Sequence, residues 1–122
     1  MVKSVTLIKR KPGTSREEFM RYYEEVHAPL GLKHFPTFRR YVRNYVIPTP
    51  GAPEPDFDCI TEIWFDDLEG ARAVTDAMGG YQDNGGGGYE TEIGRIFRED
   101  EEKFMDRVNR VSFLVDERAS VM

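Results

Sequence analysis

The chain has one cysteine and two histidines in 122 residues, and fewer basic than acidic side chains, 17 against 22, for a formal net charge of −5. Each shortage excludes something. A lone thiol closes no internal disulfide and suits a reducing compartment, so a cytoplasmic location is expected. Within the apolar run CITEIWF, Cys59 reads as a buried structural residue rather than a nucleophile. Without clustered cations to release counterions, nucleic acid is not an expected partner. No apolar run approaches the roughly 20 residues of a membrane helix. The opening MVKSVTLIKRKPG brackets only a short apolar stretch with basic residues, so neither a signal peptide nor an anchor is expected, and no membrane partner. His27 and His34 are separated by Pro29 and lack the four-residue spacing of helical zinc ligands, so no metal is expected. The glycines at 85–88 are followed by no Lys-Ser or Lys-Thr, and no dinucleotide fingerprint occurs, so no cofactor is expected either. There is no internal repeat, and the length suits one domain over residues 1–122.

What is present is a readable alternation of strands and helices. VKSVTLIK, residues 2–9, is β-branched and partly alternating, a first strand that Lys11-Pro12-Gly13 ends. Ser15 with Glu18 three residues on has the capping-box spacing and opens a helix. Its buried stripe is Phe19, Tyr22 or Tyr23, Val26 and Leu30, with a break or kink after His27 because Pro29 disfavours helical geometry at Ala28. TFRRYVRNYVIP alternates as a second strand, and the proline-rich TPGAPEPD is an exposed connection. FDCITEIWF is the third strand. Asp66 or Asp67 caps a second helix, with Leu68, Ala71, Val74 or Thr75 and Met78 inward and Gly79-Gly80 as its stop. The segment YQDNGGGGYE is a glycine-rich lid or loop. A short helix around Ile93, Ile96 and Phe97 precedes DRVNRVSFLVDE, the fourth strand.

The order βαββαβ, with an extra helical piece before the last strand, is that of an α+β ferredoxin-like fold: a four-stranded antiparallel sheet with helices on one face. The other face then carries Tyr41, Tyr45, Trp64 or Phe113, together with Arg39, Arg43, Asp58 and Glu62 as pairs of opposite charge. A second copy would cover it, so a homodimer is expected, its two sheets closing into a dimeric α+β barrel. Asp56, Asp58 and Glu62 read as members of an ion-pair network rather than an acid–base pair.

LIKRKPG leading into SREEFMRYYEEVHAPL, then TEIWFDDLEGARA, then FREDEEKFMDRVNRVSFLVDE, resembles the EthD-like proteins of the dimeric α+β barrel superfamily along nearly the whole chain, with HAPL, WFDD and FMD as the most specific segments. The resemblance implies small-molecule chemistry in a pocket between sheet and helices, since relatives include polyketide cyclases, dehydratases, decarboxylases and cofactor-free monooxygenases. It also implies that His27, the His of HAPL, is the functional histidine, a side chain suited to acid–base work. The plainer reading has His27 capping a helix end. Tyr23, one turn earlier, either orients His27 or donates a proton to a ligand carbonyl, or else is core with its hydroxyl at the rim. Phe19, Trp64 and Tyr41 are the candidate pocket lining for a small hydrophobic or aromatic ligand.

The expected activity is therefore cofactor-independent lyase, cyclase or dehydratase chemistry, or a monooxygenase-like reaction, on an aromatic or polyketide-like carbonyl compound. The alternative is a non-catalytic ligand-binding or accessory protein of an oxidative degradation pathway.

Overall fold

A computed structural model describes residues 2–80 and 90–122. The glycine-rich segment read as a lid or loop falls almost wholly on 81–89, outside the described residues.

Among the described residues, four strands form one antiparallel sheet: β1 (Val2–Ile8), β2 (Arg40–Tyr45), β3 (Cys59–Phe65) and β4 (Val111–Asp116), in the order β2-β3-β1-β4. The long central pair sets the register, with Ile8 opposite Cys59, Thr6 opposite Thr61 and Val2 opposite Phe65. Directly opposed residues share a face. One face therefore carries Ile8, Cys59, Thr61, Phe65, Tyr41 and Tyr45, and the other Lys3, Val5, Glu62, Trp64 and Phe113.

Among the described residues, three of the four α-helices start at side-chain caps that the sequence offers. α1 (Arg16–Tyr22) starts where Ser15 Oγ accepts from the Glu18 amide at 3.1 Å. A five-residue π turn, Tyr23–His27, joins it without a gap to α2 (Ala28–His34). α3 (Leu68–Ala77) is capped by Asp67, whose carboxylate accepts from the Gly70 amide at 2.9 Å. It ends at Gly79 and Gly80, whose φ angles of 107° and 73° favour glycine. α4 (Glu92–Glu101) is capped by Thr91, whose hydroxyl accepts from the Gly94 amide and donates to the carbonyl of Ala77, so one side chain joins two helices. Among the described residues no helix is long and apolar enough to cross a membrane.

The core fills the space between the α1–α2 helix and its sheet face: Ile8, Phe19, Tyr23, Ala28, Cys59, Phe104 and Met105 are buried together, with Tyr22, Tyr41 and Tyr45 packed against them. This places β2 differently from the sequence expectation. Tyr41 and Tyr45 face the helices, not the open side; alternation separates the two faces of a strand but does not say which one the helices take. Arg43 shares their face and pairs with Glu24 at 2.6 Å, while Arg39 pairs with Asp66 at 2.9 Å. On the open face Glu62 binds Lys3 at 2.6 Å, whereas Asp58 accepts the Arg10 amide at 2.9 Å. Asp58 and Glu62 thus go to different cations rather than joining a single network.

Candidate functional site

Pro29 lacks an N–H, and its ring crowds the carbonyl four residues back, so a regular α-helix through residues 25–29 is excluded. The chain widens one turn instead of breaking. The amide of Ala28 reaches back five residues to the carbonyl of Tyr23, after which α2 starts afresh with Pro29 in its first turn, where no amide is needed. The expected break after His27 is thus absorbed as a π turn, and the helix continues to His34.

The wider turn also changes what is buried. At α-helical spacing Val26 and Leu30 continue the stripe begun by Phe19; in the structure Val26 is 41% exposed, and Phe19, Tyr23 and His27 share the inner face. His27 sits in the middle of the helical run, not at its end, and no side-chain cap bond is made there. Its ring is flanked by Phe104, Tyr23 and Phe97, with centroids at 4.9, 5.4 and 5.7 Å.

Two consecutive carboxylates at the end of α4 meet this ring. Asp100 Oδ2 lies 2.8 Å from His27 Nδ1, and its other oxygen accepts from the Tyr22 hydroxyl at 2.5 Å. Glu101 Oε2 stands 3.9 Å from Nε2, while Glu101 Oε1 accepts from Arg107 Nε at 3.1 Å and Arg110 Nη1 at 2.8 Å. His27, Asp100 and Glu101 are all buried. Burying an acid without partners is costly. Here Tyr22 and His27 serve the first and two arginines serve the second.

Tyr23 occupies a different polar chain. Tyr41 donates to the Tyr23 hydroxyl at 3.1 Å, and Tyr23 lies 2.7 Å from Thr61 Oγ1. Burial holds the Tyr23 phenol well above its ordinary value and pushes Tyr41 up to about 12, so both keep their protons. The Tyr23 hydroxyl is thereby engaged by Tyr41 and Thr61, and its contact with His27 is through the edge-on ring.

Of the residues singled out in the sequence, Phe19, Tyr23, Tyr41 and His27 come together between helix and sheet. Trp64 does not. It stands on the opposite face, with Lys3 Nζ and Arg40 Cζ each 4.8 Å from its ring and its indole N–H donating to Glu117. Position 64 alternates with Thr61 and Ile63, so Trp64 cannot line the same space as Tyr41.

The residues that sequence reasoning passed over are Tyr22, Asp100, Glu101, Arg107 and Arg110. FREDEEKF reads as a charged, solvated helix face, yet Asp100 follows Phe97 by three residues and precedes Phe104 by four, a spacing that puts it on the buried stripe.

A family model, the EthD domain, matches residues 11–108, which spans the helices, the His27 cluster and the start of the last connection. The chain belongs to the EthD family. Among solved structures it is similar to an ethyl tert-butyl ether D (EthD) family protein from Bacillus halodurans, at 19% identity and a TM-score of 0.64, covering 97% of this chain and 100% of that one. It is also similar to a dimeric protein of unknown function and ferredoxin-like fold from Bacteroides fragilis, at 12% identity and a TM-score of 0.56, covering 95% of each chain. A third, a dimeric ferredoxin-like protein of unknown function from Thermobifida fusca, matches at 13% identity and a TM-score of 0.52, covering 93% of this chain and 88% of that one. These likenesses agree with the strand order in giving this EthD-family chain a ferredoxin-like α+β fold. No curated protein matches it.

Proposed function

We propose that this EthD-family protein is a cofactor-independent enzyme acting on an aromatic or polyketide-like carbonyl compound, with His27 as its acid–base group. The observation that carries the reading is the 2.8 Å approach of Asp100 to His27 Nδ1 inside an aromatic enclosure. A carboxylate on one ring nitrogen leaves the other to exchange protons, the arrangement by which many enzymes aim an imidazole. In the proposed step His27 Nε2 takes a proton from the carbon beside a carbonyl; it returns it to the departing hydroxyl, which leaves as water in a dehydration, or, where the carbanion adds to a second carbonyl in a cyclisation, to the alkoxide formed there. Phe19, Tyr23 and Tyr41 shape the apolar side of the site, with Tyr23 also holding the imidazole edge-on. Trp64 is left out because it stands on the other face of the sheet.

The protein is proposed to work as a homodimer whose open sheet faces, bearing Trp64 and Phe113, meet to form an α+β barrel. Two of the similar structures are described as dimeric, which supports this.

Turnover of candidate aromatic ketones and polyketide-like β-dicarbonyl compounds by wild type and His27→Ala tests the activity. A positioned acid–base group contributes on the order of 10²–10⁴-fold, and a loss of that size in a variant that still folds is the expected result. A second reading, a ligand-binding accessory protein in which His27 is purely structural, draws on the enclosure of the ring, only 6% exposed. Binding without turnover by the wild type, or equal turnover by His27→Ala, would establish that reading instead.

A further inference from the structure

Tyr22 and Tyr23 are adjacent in sequence and diverge in space. Tyr23 points into the core. Tyr22 lies at the end of α1 with its ring against Phe104, centroids 5.0 Å apart, and borders an open groove of about 300 Å³ along with Glu18, Arg21, Glu25 and Lys103. Its hydroxyl donates to Asp100 Oδ1.

We infer that Tyr22 is a positioning residue for His27: its hydroxyl pins Asp100, and Asp100 in turn fixes the imidazole as the Nδ1–H tautomer, with Nε2 as the bare, working nitrogen. Three observations carry this. The Tyr22 hydroxyl donates to Asp100 Oδ1 at 2.5 Å and so occupies one of the two oxygens. Burial, reinforced by the bond to Asp100, keeps the Tyr22 phenol protonated and therefore a donor. A carboxylate has acceptors only, so the remaining oxygen, 2.8 Å from Nδ1, requires the proton of that contact to sit on the histidine.

The pinning matters because the terminal torsion of an aspartate is broad and leaves its two oxygens interchangeable. With Tyr22 on Oδ1 the carboxylate has one orientation, and Oδ2 stays on the ring. Without it Asp100 swings, and the hold on Nδ1 weakens. The consequence for turnover rests on the acid–base reading given above, but the tautomer is a property of the resting protein and is tested without substrate.

The experiment is a long-range proton–nitrogen NMR correlation on the full chain with ¹⁵N-labelled histidine, recorded where the ring is neutral. The chain has two histidines, and His34→Gln identifies the His27 signals. Wild type is expected to show a protonated Nδ1 and a bare Nε2. Tyr22→Phe, which keeps the ring packed on Phe104, is expected to pull both nitrogen resonances toward each other as the two tautomers mix. Asp100→Asn is expected to exchange them, because its amide can donate to Nδ1. A wild-type His27 carrying its proton on Nε2 would overturn the inference even if neither variant folds, and so would unmoved resonances in a folded Tyr22→Phe. Failure of the acid–base reading is seen separately, as undiminished turnover in His27→Ala with the tautomer unchanged in the wild type.

Discussion

Arg43 grips Glu24 with two nitrogens, Nε 2.6 Å from Oε2 and Nη2 2.9 Å from Oε1, and so ties β2 to the start of the π turn. Tyr45 adds its hydroxyl to the same carboxylate at 2.5 Å. The hydrogen bonds from Arg43 hold the Glu24 carboxyl below its usual 4.5, against the opposing pull of desolvation, and Tyr45 acts in the same direction as Arg43.

A carboxyl whose value is lower in the folded than in the unfolded chain stabilises the fold above the unfolded value, and that contribution is lost as pH falls through the folded one. Glu24→Gln is therefore expected to cost about 1 kcal/mol near neutrality, a modest figure because the glutamate side chain is 40% exposed. It should also flatten the decline in stability below pH 4.5. Urea unfolding midpoints of both proteins between pH 7 and 3 check this, and parallel acid limbs would contradict it.

Gly94 stands where α4 passes the end of α3. A Cβ there would lie 2.7 Å from the carbonyl oxygen of Met78 and 3.2 Å from its carbon, both backbone atoms that move only with the helix. Gly94→Ala is expected to lose about 1–3 kcal/mol, as overpacking does, although alanine is the better helix former. Because α4 also carries Asp100, the variant should disturb the His27 NMR signals as well. Chemical denaturation and the histidine spectrum together test the point; a more stable protein would show that the two helices part freely.

Cys59 is buried on β3, and burial pushes its thiol up to about 11, with the nearby Thr61 hydroxyl pulling weakly the other way. Since the thiolate is the reactive form, native protein at pH 8 should be labelled by a disulfide reagent far more slowly than protein in denaturing urea. Equal labelling rates would mean that β3 is open to solvent.

Phe113 on β4 lies opposite Val5 on the open face and is 45% exposed in the single chain. If two sheets meet there, Phe113→Glu puts a charge into an apolar contact. The variant should sediment at half the wild-type mass while keeping its circular dichroism. A wild type that already sediments as one chain would remove the dimer from the proposal.

Much of this was legible in the sequence, and the failures share a cause. Ser15 and the Asp66–Asp67 pair announced helix starts through local chemistry that the fold leaves unchanged. The alternation of residues 40–45 announced a strand for the same reason. Which face of that strand the helices cover depends on the whole sheet, so Tyr41 and Tyr45 were set on the wrong side. Pro29 signalled a disturbance after His27, but whether a helix breaks or widens there depends on how well its far side packs; Ala28 and Gly31, both buried in α2, show that it packs well. His27 was found because its motif resembles a family. Asp100 is one of four acids in a run of eight residues, where composition speaks for solvent and only the spacings to Phe97 and Phe104 speak for the interior.

The five-residue turn holds one residue more than an ordinary helix would place there. That extra residue is taken up within the turn, so the helices before and after it keep their facing while the side chains between them are redistributed. The histidine–aspartate contact therefore depends on the length of a single turn, while the strand pairing that holds the sheet together lies elsewhere in the chain.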